Sequence, residues 1–85
     1  MAFVYILLLS NNKYYVGSTT NLEKRLNDHS SGKSGYTSKH LPVKLVFQKE
    51  YSSFSDARKI ENFIKKQKSR IYIEKLINHI ISLPG

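Results

Sequence analysis

The feature that most constrains this chain is its opening run. From Ala2 to Leu9 every residue is apolar or aromatic. Phe3, Tyr5 and Leu7 fall on one face of an extended segment, and Val4, Ile6 and Leu8 fall on the other. A strand with two apolar faces must be covered on both sides, which predicts a central position in a sheet. No basic residue precedes the run, and it is far shorter than the roughly 20 residues of a membrane-spanning helix. Ser10-Asn11-Asn12-Lys13 follows it, and this is turn chemistry, not a small-residue cleavage site. The expected compartment is therefore the cytoplasm. At 85 residues the chain has room for one domain, spanning 1–85, with a thin core. With no Cys, a disulfide scaffold, a thiolate metal site and a Cys nucleophile are excluded.

The remaining elements follow from periodicity and caps. Tyr14-Tyr15-Val16-Gly17 reads as a second strand, paired with the first in an antiparallel hairpin. Thr20-Asn21-Leu22-Glu23 has the form of a capping box and predicts a helix from there to about Ser30, ending before Gly32. Leu22, Leu26 and His29 form its inward stripe. Ser30 to Lys39 reads as a polar loop with one aromatic, Tyr36. Beyond Pro42, Val43 to Glu50 reads as a third strand, with Val43, Leu45 and Phe47 on one face. Ser53 or Ser55 caps a helix from Asp56 to about Lys68, with Ala57, Ile60 and Ile64 inward. Ser69 caps a last helix to about Ile81, with Ile73, Leu76, Ile77 and Ile80 inward. The order β-β-α-β-α-α describes an α+β domain with a small three-stranded antiparallel sheet flanked by helices.

Charge narrows the partner. Fourteen Lys and Arg stand against six Asp and Glu, a net charge of +8. Such a balance suits a polyanion, nucleic acid before an anionic membrane. Six of the basic residues lie between Arg58 and Arg70, with Glu61 as the one acid among them. Lys65, Lys66, Lys68 and Arg70, with Lys33 and Lys39 from the loop, are the expected phosphate contacts. A solvated helix face is the ordinary alternative for such a run. Phosphate loops, nucleophile elbows and helical zinc-ligand spacings do not occur, and six acids hardly supply a two-metal carboxylate cluster.

What remains is a set of Tyr, Arg, His and Glu. Tyr5 and Tyr15 lie on paired strands and can share a side. Arg25 and His29 are four apart and share a helix face. Glu61 borders the apolar stripe of its helix, where a carboxylate either pairs with Arg58 or Lys65 or holds a cation.

Phe3-Val4-Tyr5 followed at ten residues by Tyr15-Val16-Gly17 resembles the paired tripeptides of the GIY-YIG nuclease domain. Arg25 and His29 resemble the next motif of that family, and Ala57-Arg58-x-x-Glu61-x-x-x-Lys65 its acidic helix motif. Tyr36-Thr37 and Pro42-Val43-Lys44-Leu45-Val46 resemble linking segments of its short stand-alone bacterial members. Those members are related to the amino-terminal nuclease domain of the excision-repair incision subunit. The resemblance covers about residues 2–80. Phe3 replaces the first Gly, Ser18 stands where some repair-type members carry Lys, and Ile71-Tyr72-Ile73 supplies no late Asn.

The resemblance implies a metal-dependent endonuclease acting on DNA phosphodiesters, in repair or recombination, with Mg²⁺ or Mn²⁺ as cofactor. Glu61 would hold the cation and Arg25 would brace the phosphate, both converging with His29, Tyr5 and Tyr15 on one cleft. Tyr5 or Tyr15 would align or deprotonate water, with His29 sharing the proton transfer. Gly17 would allow close approach to Tyr15. The alternative is a nucleic-acid-binding module with the same fold and no turnover. The residues do not separate DNA from RNA. A monomer that takes its substrate recognition from a protein partner is expected, because the surface left for reading bases is small.

Overall fold

The computed structural model describes residues 1–33, 35 and 37–84; Tyr36, singled out above, lies outside them. Ala2–Leu8 forms β1, Tyr14–Thr19 forms β2 and Lys44–Tyr51 forms β3. Their order in the sheet is β2-β1-β3, so the doubly apolar strand is central, as its two faces require. Both pairings are antiparallel. The β1–β2 hairpin closes through Asn12, whose φ of 65° uses the tolerance of Asn for the left-handed region.

The two faces of β1 feed two cores. Tyr5, Leu7 and Leu9 pack with Tyr15, Leu22, Leu26, Val43 and Leu45. This is the face covered by α1, Leu22–Ser30. Val4, Ile6 and Val16 pack with Ala57, Ile64 and Leu76. Those last three come from α2, Phe54–Gln67, and α3, Arg70–Ile77. The expected α+β architecture and element order are therefore what the chain adopts. Among the described residues no helix is long and apolar enough to cross a membrane.

Four local expectations need correction. The cap of α1 is Asn21, whose side chain accepts from the Lys24 amide; the Thr20–Glu23 box does not form. Strand β2 runs on through Thr19, which pushes the helix start one residue along. Phe47 does not share a face with Leu45: the β1–β3 register shifts between Ile6 and Leu7, and Phe47 joins the α2 side. A bulge inserts one residue, and a one-residue slip exchanges faces. Helix α2 is capped by Ser53 and starts at Phe54, two residues before the expected Asp56. Helix α3 ends at Ile77, and Ile80 is 68% exposed instead of inward. His79 takes a φ of 59°, incompatible with continuing that helix.

Candidate active site

Tyr5 is the centre of one half of the site. It lies on β1 opposite Gly17 of β2, and its side chain is carried over that glycine. A Cβ on Gly17 would stand 2.6 Å from the Tyr5 Cζ and closer still to the hydroxyl. The glycine is needed for space, and the residue that needs it is Tyr5, not Tyr15 as expected. Tyr15 sits one diagonal step away, opposite Leu7, with its ring 6.5 Å from that of Tyr5.

Helix α1 supplies the partners. His29 is fully buried, and its ring meets both phenols edge-on at 5.8 and 5.2 Å. His29 Nε2 lies 3.0 Å from the Tyr5 hydroxyl. Its other nitrogen, Nδ1, lies 2.7 Å from Thr37 Oγ1, on a short 3-10 turn at Thr37–Lys39. One helical turn before His29, the Arg25 guanidinium is within hydrogen-bonding reach of both Tyr5 and Tyr15. Burial, and then the Arg25 charge, hold His29 below the usual histidine range, so the ring is neutral at pH 7. Burial pushes the Tyr5 phenol up, partly offset by Arg25. Tyr5 is 1% exposed, whereas Tyr15 and Arg25 are half-buried. Tyr15 is thus the phenol that a substrate can meet.

Glu61 does not enter this half from the same side. It belongs to α2, on the opposite face of the sheet from α1, which corrects the expectation of a single cleft on one face. Its carboxylate reaches β2, where the Ser18 hydroxyl donates to Oε1. Lys65 donates to Oε2 at 2.6 Å. Glu61 nevertheless acts electrostatically on the Tyr5 phenol. The site is therefore divided by β2, an edge strand, with phenols, Arg25 and His29 on one face and Glu61 on the other. Of the two pairings open to Glu61, Lys65 forms and Arg58 does not; Arg58 is exposed.

A groove of about 430 Å³ follows the free edge of β2. Tyr15 and Val16 line one wall, and Lys65, Lys68 and Arg70 line the other. Lys13, which sequence reading missed, is also in the lining; its place in the hairpin turn beside the basic helix end is a tertiary fact. Lys33, Lys39 and Lys66 are exposed but lie outside the lining. Arg70 is already engaged: it donates to Glu74 and to the Asn12 carbonyl and stacks over the Tyr14 ring at 4.6 Å.

The residues fit a single hard cation in one respect. Glu61 is a buried carboxylate held by Ser18 and already bears a positive group, the Lys65 ammonium. Mg²⁺ is commonly held by one or two carboxylates with water and phosphate oxygens completing the shell. A fuller protein cage is not available: among the described residues there is no group of three His, Asp or Glu placed to share a metal. Ser18 was visible in the sequence only as a departure from the repair-type pattern; its bond to Glu61 gives it a role.

Comparison with known proteins points one way. The model of the GIY-YIG catalytic domain matches residues 1–76. A UPF0213 protein of Syntrophus aciditrophicus is 48% identical over 66 residues, covering 75% of this chain and 76% of the relative. One from Streptococcus pneumoniae serotype 4 is 38% identical over 68 residues, covering 79% and 69%. The solution NMR structure of the UPF0213 protein BH0048 from Bacillus halodurans superposes with a TM-score of 0.58. It is 34% identical, over 92% of this chain and 84% of that one.

Proposed function

Because this chain belongs to the GIY-YIG catalytic domain family, a nuclease family, we propose that it is a divalent-metal-dependent endonuclease that hydrolyses DNA phosphodiester bonds. The observation that carries this reading is a basic groove lined by Tyr15, which Arg25 reaches, and by Lys65, which pairs with Glu61. A strand lying in that groove meets Tyr15 and Lys65, the neighbours of the Arg25 guanidinium and the Glu61 carboxylate.

Each residue has a task in this scheme. Lys13, Lys65 and Lys68 hold the phosphate chain in the groove. Arg25 donates to the non-bridging oxygens of the scissile phosphate as negative charge accumulates there. Tyr15 orients the attacking water, whose oxygen sheds a proton to solvent and bonds to phosphorus as the bond to the leaving oxygen breaks; that oxygen takes a proton from solvent and departs as a hydroxyl. Tyr5 and His29 stand behind and fix Arg25. Glu61, steadied by Ser18, is the residue that would hold the divalent cation in exchange for its pair with Lys65. Such a cation, when bound, polarises the phosphate and stabilises the leaving oxygen. The roles in DNA repair or recombination and the choice of Mg²⁺ or Mn²⁺ belong to the same proposal. So do the monomeric state, the cytoplasmic setting and a protein partner that supplies substrate recognition.

The second reading is a nucleic-acid-binding module without turnover. What favours it is Lys65, which already neutralises Glu61. Glu61→Gln separates the two. The substitution is expected to abolish cleavage of branched, nicked and single-stranded DNA in Mg²⁺ or Mn²⁺. DNA affinity should stay level or tighten slightly as one repulsive charge goes. Loss of the Lys65 pair and weakening of the Ser18 bond cost about 1 kcal/mol of stability. Full cleavage by the Gln variant removes Glu61 from the reaction, and an inactive wild-type protein across these substrates and metals installs the binding module.

A further inference from the structure

Thr37 takes no part in the scheme above, yet it is fully buried and its hydroxyl lies 2.7 Å from His29 Nδ1. A neutral imidazole has one N–H and one bare nitrogen, so its two bonds are not independent. The tautomer can be read from the Tyr5 end. Arg25 can only donate, so where its guanidinium comes within reach of Tyr5 the phenol oxygen is the acceptor. If His29 Nε2 also carried a proton, both neighbours would donate to Tyr5. The phenol hydrogen would then be left to point elsewhere from a residue that is 1% exposed. With Nε2 bare, the phenol donates to Nε2, 3.0 Å away, and keeps its lone pairs for Arg25. Nδ1 then carries the proton and donates to Thr37 Oγ1.

From this chain we infer that Thr37 is a positioning residue of the site: it holds His29 as the Nδ1–H tautomer and, through Tyr5, keeps Arg25 aimed at the substrate phosphate. The inference rests on the nuclease reading for its consequence, not for its geometry. The chain runs through three buried residues on three elements, Thr37 on the 3-10 turn, His29 on α1 and Tyr5 on β1. Reversing the tautomer would turn the phenol hydrogen against the guanidinium, donor against donor, and displace Arg25.

The test uses Thr37→Val, which keeps the shape and removes the acceptor, and Thr37→Ser, which keeps the acceptor. Nitrogen-15 NMR of the imidazole reads the tautomer directly. The wild type and the Ser variant should show Nδ1–H, and the Val variant should populate Nε2–H. Cleavage by the Val variant should fall about 10- to 100-fold, as when the outer-shell partner that orients a metal-binding histidine is lost. Its DNA affinity should be unchanged, and Ser should restore the rate. Nδ1–H retained in the Val variant, or Nε2–H in the wild type, overturns the inference. If the Val variant does not fold, the spectra of the wild type and the Ser variant decide it, Nε2–H in either being fatal. A wild-type protein that cuts nothing defeats the nuclease reading separately, and the imidazole spectra still judge Thr37.

Discussion

Replacing Gly17 by alanine adds one methyl group at the most crowded point of the fold. That methyl would sit 2.6 Å from the Tyr5 Cζ, where ordinary contact begins near 3.4 Å. The ring must therefore retreat by roughly 0.8 Å, and it has little room to do so. It is 1% exposed, flanked by Tyr15 and His29, and tied at its hydroxyl to His29 Nε2. Overpacking of this kind costs about 1–3 kcal/mol. Stretching the Tyr5–His29 bond adds about 1 kcal/mol. A loss of about 2–4 kcal/mol lowers the Tm of a domain this size by at least about 8 °C. Thermal unfolding followed by circular dichroism measures it. The same substitution in a Tyr5→Leu background should be much cheaper, because the atoms it meets are gone. A Gly17→Ala protein melting within a degree or two of the wild type would refute the argument, as would an equal penalty in both backgrounds.

Three further outcomes follow from charge and capping. His29 sits below its ordinary pKa, so the unfolded chain takes up its proton first; stability should be complete above about pH 6.5 and decline below it. Tyr5 sits above its ordinary value, so the unfolded chain loses that proton first, and stability should decline above about pH 10. Urea midpoints across pH measure both limbs; an acid limb unchanged in His29→Gln would exclude His29 as its source. Asn21→Ala should cost about 1 kcal/mol and Thr20→Ala almost nothing, and equal costs would put the cap back at Thr20.

The parts of the fold that local chemistry dictates were legible in the sequence. Two apolar faces placed β1 at the centre, and Ser53 and Ser69 capped their helices. Gly32, with a φ of 81°, follows the end of α1. Misreadings arose where neighbours compete or tertiary contacts choose. Thr20 and Asn21 are both good caps, and the continuation of β2 through Thr19 decides between them. Phe47 was misplaced because strand alternation contains no sign of a bulge. The site divides in the same way. Tyr5, Tyr15, Arg25 and His29 were singled out by their spacing together with the resemblance to the GIY-YIG pattern, and the structure brings the four together. Thr37 was hidden because a single Thr in a polar loop has no periodicity to mark it. That Glu61 comes from behind the sheet depends on how α2 crosses it, which no local pattern records.

The division of the site by an edge strand bears on how these molecules tolerate one another. An unpaired strand edge invites a further strand, and a second copy adding itself to β2 would fill the groove beside Tyr15. Self-association there and entry of substrate are mutually exclusive. The lysines of the groove serve both ends: Lys13, Lys65 and Lys68 attract a polyanion and repel a neighbour of net charge +8. High ionic strength weakens both effects together, so the condition that loosens the grip on a phosphate chain also lowers the barrier to pairing between copies.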